Sequence, residues 1–422
     1  MNTKMRYCVL DPGYRDPGHL GLGATWLRWA LERAGVVLET PERADVWLVS
    51  VQSQQSKPKL KTLLRRHGFN PKRQRLVLGG PGCYAPAVFD DLAHLCCVGE
   101  GPEFLRSLLT EGWEAAAALP YAWVPGETRE VIPASEFPWD LPPIRFQDGF
   151  VRVWATRGCR RRCLFCQTGW ECCYRRNPHW SQMVAAAQQL AAEGERICVS
   201  TNDAADVDWT GLPIAQHMSA TFEGVQRLVA SGYQLRGQVR SVRLGVEGVS
   251  ERLRQAVGKP VPNEALVELT GRILAQGVGV TWFFIVGLPG EAEVDYDDLR
   301  ELTLRVKRTI PKGSIMCRFH AFIPQPAAPL SLLPLRDDYW TWFDEWRRWF
   351  FHGPGLTRRI QIIAPSRPPH RLKDARLSMA CDEARLRRGW ADADPPNWRV
   401  RYQGTAQHRR AVARRYMERL QG

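Results

Sequence analysis

The chain has 422 residues, 44% apolar and 24% charged, which excludes collagen-like, low-complexity and membrane-embedded classes and leaves an ordinary globular protein. Its length allows two or three domains with ample core. A formal charge of +14 favours an acidic partner such as nucleic acid, a nucleotide or an anionic cofactor.

The N-terminal MNTKMRYCVLDPG carries no apolar stretch of signal-peptide type, and the longest apolar run, 278–288, is too short to cross a bilayer. The expectation is a cytoplasmic protein without membrane contact. With no export signal, twelve cysteines point to metal or redox chemistry rather than to a disulfide framework. The adjacent pairs Cys96/Cys97 and Cys172/Cys173 are poorly placed for ordinary disulfides.

In chain order, residues 1–120 alternate strand-like segments (MRYCVL, ADVWLVS, RLVLG, HLCCVG) with helical stretches at 23–34, 58–66 and after Gly101. This alternation predicts an α/β domain with a doubly wound parallel sheet. Ligands of such sheets lie at the strand C-termini, where Gly79 and Gly80 would let a backbone or nucleotide tail approach. A Pro-rich connector, 121–148, should wrap the surface rather than join a sheet. Residues 149–330 repeat strand–helix units, with strands at VRVWATRG, ERICVST, SVRLGVEG, VTWFFIVGLPG and SIMCRFHAFIP. A clear helix at 178–193 has Pro in its first turn. The pattern predicts a partial (β/α)6 barrel with its chemistry at the strand C-termini. Residues 331–422 form a basic, Trp- and Arg-rich extension, mostly helical.

TRGCRRRCLFCQTGW places Cys159, Cys163 and Cys166 in a C-x3-C-x2-C array directly after a predicted strand. Three thiolates on one tight loop can ligate three corners of a [4Fe–4S] cluster and leave the fourth iron open to a chelating cofactor. Arg157, Arg160, Arg161 and Arg162 would favour the thiolate state. Zinc is the alternative, but no second cysteine pair stands at a suitable distance.

The array, with Phe165 before its last cysteine, is similar to the signature of the radical S-adenosylmethionine superfamily. Further segments resemble that family in the correct order: VSTNDAADV (199–207), GVEGVSERLRQAVGKP (245–260), FFIVGLPGE (283–291) and FIPQPAAPL (322–330). The resemblance implies a radical S-adenosylmethionine enzyme that reductively cleaves its cofactor to a 5′-deoxyadenosyl radical, with a reductant such as flavodoxin or ferredoxin as partner. It also implies cofactor contacts from Phe165, from Ser200, Thr201, Asn202 and Asp203, from Glu247, and from the backbone near Gly287 and Leu288.

GHLGLGATWLRWALERAG (18–35) and the segment 75–109 resemble the cobalamin-binding domain that precedes the barrel in one branch of the superfamily. The Asp-x-His-x-x-Gly arrangement that supplies a histidine to cobalt is absent, since Asp16 and His19 have the wrong separation. Cobalamin would therefore bind without that ligand, or the domain is vestigial.

The leading expectation is cobalamin-dependent methyl transfer to an unactivated carbon. One alternative is methylthiolation or other radical modification of RNA, which would need a second cluster from Cys8, Cys83 and Cys96. Another is a methyl–cysteine intermediate on Cys317 or Cys381. A third, of a different class, is a cluster-containing nucleic-acid-binding or sensing protein, its basic tail offering guanidiniums and rings to phosphates and bases. The substrate and catalytic residues are not legible, and Tyr174, Arg175 and Arg176 fit either an active-site or a surface role.

Overall fold

The computed structural model describes residues 5–13, 20–53, 56–137, 139, 141–146, 149–171, 174–209, 212, 217–310, 313–325, 327–334, 338–353, 360–364 and 406–421. Two compact units emerge, one mainly of residues up to Val151, with Trp170 and Glu171, and the other mainly of the strand–helix repeats from Arg152 on, with residues 407–421.

In the first unit, β1 (Tyr7–Leu10), β2 (Val46–Ser50), β3 (Arg75–Gly79) and β4 (Leu95–Cys97) are parallel and adjacent in that order. Leu38 bridges Tyr7 in parallel on the outer side of β1. Counting this short bridge as a strand, the chain first turns one way from β1 and then the other, so the sheet is doubly wound with its reversal between β1 and β2. Helix α1 (Leu22–Arg33) packs Ala24 and Leu31 on the face carrying Tyr7, Val9, Val46 and Leu48. Trp47 points the other way, and its ring meets Phe69 just beyond α2 (Lys57–Arg66) at 4.9 Å. Helices on opposite faces explain why these strands read as unbroken apolar runs. After β4, α3 (Pro102–Thr110) and α4 (Trp113–Ala118) return to the α1 face.

The connector does join the sheet. β5 (Ala122–Trp123) pairs antiparallel with Cys96 and Cys97, and Ala134 bridges Gly99. Pro120 and Pro125 flank β5 without occupying it, and an edge position tolerates nearby proline. A short strand, β6 (Ile144–Arg145), ends the connector.

The second unit begins with β7 (Phe150–Trp154), which lies beside β10 (Arg196–Ser200). Between them come β8 (Thr156–Arg157), α5 (Thr168–Glu171), β9 (Arg175–Arg176) and α6 (Trp180–Ala192). Pro178 stands just before α6 rather than in its first turn.

A second sheet of five parallel strands follows: β11 (Met218–Thr221), β12 (Ser241–Gly248), β13 (Gly279–Val286), β14 (Ile315–Ala321) and β15 (Ile360–Ile363). Interleaved helices are α7 (Phe222–Ala230), α8 (Glu251–Ala256), α9 (Asn263–Ala275), α10 (Val294–Thr309) and α11 (Tyr339–His352). One face of this sheet is sealed by helices: Trp282 donates from Nε1 to Thr270 of α9 at 3.1 Å, and Phe319 stacks among Phe284, Phe343 and Trp346. β11 and β15, four residues each, are strands that the sequence pattern did not reveal.

The C-terminal helix α12 (Ala406–Gln421) belongs to this unit. The Tyr416 hydroxyl donates to the Pro289 carbonyl at 2.7 Å, and Arg252 reaches both the Leu420 carbonyl and Asp295.

The turn after β12 is held by Arg254, which is fully buried and donates to the carbonyls of Gly248 and Val261 and to the Asn263 side chain. Removing it strands three acceptors in the interior. Arg254→Met should cost about 3 kcal/mol in a chemical denaturation midpoint analysis; an unchanged midpoint would show that the guanidinium holds nothing.

Candidate cluster loop and cofactor site

The cluster loop leaves β8 through Gly158, whose φ of +70° suits glycine. The side-chain amide of Asn202 donates to the Gly158 carbonyl at 2.7 Å, and the hydroxyls of Thr156 and Thr201 lie 2.7 Å apart. Ser200 continues the β10 ladder, its carbonyl accepting from Ala155. Residues 200–202 thus clasp the root of the loop. Asp203 is 4% exposed, and its carboxylate accepts from the backbone of Thr221 and Ala205 and from the Thr221 hydroxyl. The Arg161 guanidinium also lies 3.9 Å from this carboxylate, so Asp203 ties β10 to β11 and to the cluster loop.

Cys159, Cys163 and Cys166 form no disulfide. Burial pushes Cys163 up to about 12 and raises Cys159, and each thiol feels the charge of the other two loop cysteines or of one of them. Among the described residues no three His, Cys, Asp or Glu side chains stand close enough to hold a single metal ion. Three thiols set apart on one loop suit a cube, which takes one thiolate at each ligated iron, better than a lone tetrahedral zinc.

The backbone N–H of Arg161 donates to Cys159 Sγ at 3.4 Å, but two of the loop arginines have their side chains engaged elsewhere. Arg160 lies over the Tyr174 ring at 4.5 Å, and Arg161 turns to the Thr221 hydroxyl and the Glu223 carboxylate. Arg175 and Arg176 are exposed, and Arg176 donates to the Tyr174 hydroxyl.

The cation that favours the thiolates is Lys259, twelve residues after Glu247 and unremarkable in sequence. Its ammonium lies 2.6 Å from Glu247 Oε1, 3.4 Å from the Gly245 carbonyl and 5.9 Å from the Phe165 ring centre. Burial opposes its charge, but Glu247 and Cys163 outweigh burial and raise its pKa.

Glu247 is the one non-glycine residue with positive φ among the described residues, at +74°. It sits where the β12–β13 register slips between Gly245 and Glu247, a bulge that re-aims its side chain. Holding a glutamate there costs about 1 kcal/mol or more, so the surroundings must enforce it.

At the end of β13, Gly287 has φ +82°, and a Cβ there would come within 2.6 Å of the Tyr339 ring. The backbone N–H groups of Gly287 and Leu288 both donate to Glu291, which also accepts from the Tyr296 hydroxyl. Glu291, absent from the sequence reading as a site residue, therefore shapes this turn, and burial pushes its carboxyl up to about 7.

In the first unit, the carboxylate of Asp11 accepts from Gly13 and Gly21 at the end of β1. Gly80, just after β3, has φ +90°, and a Cβ there would press on the Val51 carbonyl and the Ser50 hydroxyl. A Cβ on Gly79 would meet nothing within 4 Å. Gly80 thus leaves no room for a side chain, whereas Gly79 opens onto free space at the C-terminal end of β3, one strand away from the reversal between β1 and β2. Asp16, His19, Cys172, Cys173 and Cys381 lie outside the described residues.

Residues 155–303 match the model of the Radical SAM superfamily. A tRNA-2-methylthio-N(6)-dimethylallyladenosine synthase from Magnetococcus marinus is 26% identical over 64% of this chain and 67% of its own length. The chain spans about two thirds of the length of such curated relatives. Among solved structures, the radical S-adenosylmethionine methyltransferase TsrM from Kitasatospora setae, with cobalamin and [4Fe–4S] cluster bound, aligns with TM-score 0.55 at 14% identity, covering 78% of this chain and 77% of that one. Apo OxsB, a cobalamin-dependent S-adenosylmethionine radical enzyme, aligns with TM-score 0.56 at 14% identity over 96% of this chain and 64% of its own. Residues 155–303 are accordingly a radical S-adenosylmethionine domain, and the chain shares the fold of cobalamin-binding members. No described helix is long and apolar enough to cross a membrane.

Two outcomes follow from this geometry. Lys259→Met should destabilise the protein by about 3 kcal/mol by leaving Glu247 half-buried and unpaired, and Lys259→Met/Glu247→Gln should recover most of that loss in urea titrations. Glu291 has a raised native pKa, so the native state holds its proton more tightly than the unfolded chain does. Its contribution is complete below pH 4.5 and falls by on the order of 3 kcal/mol as pH climbs to about 7. Glu291→Gln should remove that slope from a melting-temperature series between pH 5 and 8.

Proposed function

We propose that this chain is a radical S-adenosylmethionine enzyme that holds cobalamin on its first unit and transfers a methyl group to an unactivated carbon. Cys159, Cys163 and Cys166 would hold the cluster, with Asn202 and Thr201 fixing the root of their loop and Lys259 offsetting its negative charge. When bound, the cluster supplies the electron that cleaves the cofactor's sulfonium to a 5′-deoxyadenosyl radical, and the corrinoid supplies the methyl group. Glu247 and the turn at Gly287 and Leu288 would position the cofactor, and Phe165 would lie against it. A low-potential flavodoxin or ferredoxin would deliver electrons.

The observation that carries the cobalamin reading is the doubly wound first unit, with open space over Gly79 at the C-terminal end of β3.

Methylthiolation, the activity named for the sequence relatives, is the second reading. It would need three more thiolates together in the first unit. Cys96 lies in register with Leu78 on β4, whereas Cys8 lies on β1. Three strand spacings, roughly 14 Å, separate them. Cys8, Cys83 and Cys96 are moreover all buried, and the Cys83 thiol has that of Cys96 as a hydrogen-bond partner. This arrangement weighs against a second cluster on those residues.

Protein made in cobalamin-supplied cells and purified without oxygen should release close to one corrinoid per chain, detected by mass spectrometry. It should also form 5′-deoxyadenosine when reduced with S-adenosylmethionine. Iron intact but no corrinoid would sink the alkyl-transfer reading. Cys163→Ala should lose cluster iron and 5′-deoxyadenosine together.

A further inference from the structure

Strand parity separates two faces of the β11–β15 sheet. Val242, Leu244, Trp282, Phe284, Cys317 and Phe319 are buried on the helix-covered face. The alternate residues, Arg243 and Glu247 on β12, Phe283 on β13, and Arg318 and His320 on β14, point to the opposite face, the one that also bears Lys259 beside Gly245. Register then fixes their rows. Gly245, Phe283 and Arg318 lie side by side, and Arg243 stands one row nearer the strand N-termini. Arg243 is four residues from Glu247, roughly 13 Å along the strand.

Neither Arg243 nor Arg318 has an acidic partner or hydrogen bond among the described residues. Both are half-buried. Each guanidinium instead meets like charge or an aromatic ring. Burial, then the neighbouring Arg318, lowers the pKa of Arg243, and Arg318 lies 5.9 Å from the Phe283 ring centre. His217, bonded through Nδ1 to the Ser241 hydroxyl at 2.7 Å, is also lowered, by burial and then by Arg243 and Arg318. Phe283 and His320 stack with planes 5° apart at 5.8 Å, forming a flat wall beside Arg318. Two guanidiniums held near one another, with no acid beside them among the described residues, repel unless something anionic joins them, and a planar fork of donors is shaped to grip carboxylate or phosphate.

The geometry points to Arg243 and Arg318 as an anion-binding subsite for the substrate, which would be a small molecule carrying a phosphate or carboxylate group. The inference rests on the radical S-adenosylmethionine reading only in taking this face as the substrate side. Its test reads anion binding and not methyl transfer, so the two readings fail separately.

The experiment is thermal unfolding of the full-length holoprotein titrated with inorganic phosphate, and separately with succinate, against sodium chloride of equal ionic strength. Stabilisation by phosphate identifies a phosphorylated substrate, and stabilisation by succinate a carboxylate one. In either case Arg318→Met should weaken the apparent affinity at least about tenfold, Arg243→Met should do the same, and Arg243→Lys should retain part of it. Without added anion, Arg318→Met should melt no lower than the parent, since it relieves repulsion. Protection equal in parent and variants, absent in the parent, or abolished by saturating S-adenosylmethionine would overturn the assignment, the last because the arginines would then serve the cofactor's own carboxylate. A lower melting point for Arg318→Met would also overturn it, showing the guanidinium to be a structural group.

Discussion

The candidate site depends on a glutamate held where glutamates rarely sit. Glu247 adopts a left-handed backbone at a bulge in β12, and the Lys259 ammonium clamps its carboxylate from the far end of the following helix. That helix, α8, can deliver Lys259 only because Arg254 pins the turn around it, tying Gly248 at one end to Val261 and Asn263 at the other. The local strain at Glu247 is small beside the cost of leaving either charge buried alone, so the pair and its support behave as one unit. The same ammonium opposes the burial that raises the cluster-loop thiols, linking the bulge to the loop that begins at Gly158.

A similar division of labour marks the turn after β13. Glu291 gathers the two N–H groups that would otherwise be left over at a strand end, and Tyr296 closes the arrangement from α10. The C-terminal helix then seals the outer side of this turn through Tyr416 and Leu420. The basic tail, which by composition reads as a nucleic-acid handle, thus ends in a helix that packs on the second unit and braces the turn after β13.

Much of the fold was legible because its strands carry their own signal. All four parallel strands of the first unit appear where apolar runs place them, since a sheet covered on both faces makes every position apolar. The apolar run at 278–288 became β13 for the same reason. β11 and β15 were missed because four residues are too few to establish a period. The reversal of the first sheet hangs on one bridge at Leu38, which has no strand-like run around it. Asp203 is instructive in another way. Its place after β10 was right, yet its oxygens are engaged by Thr221 and Ala205, residues whose proximity depends on how β11 packs.

The sequence by itself determined the chemistry of the cluster loop, because three thiols within eight residues are brought together by the chain's own connectivity whatever the rest of the molecule does. It also determined the α/β character of both units, which follows from hydrophobic period. Only the tertiary structure decided which charges face one another. Lys259 meets Glu247 and not one of the many other carboxylates, the side chains of Arg160 and Arg161 are engaged away from the thiols, and Arg243 and Arg318 share a face with no acidic partner among the described residues. Such pairings are set by strand register and helix docking, which join residues 12 to 75 positions apart and leave no periodic trace in the chain.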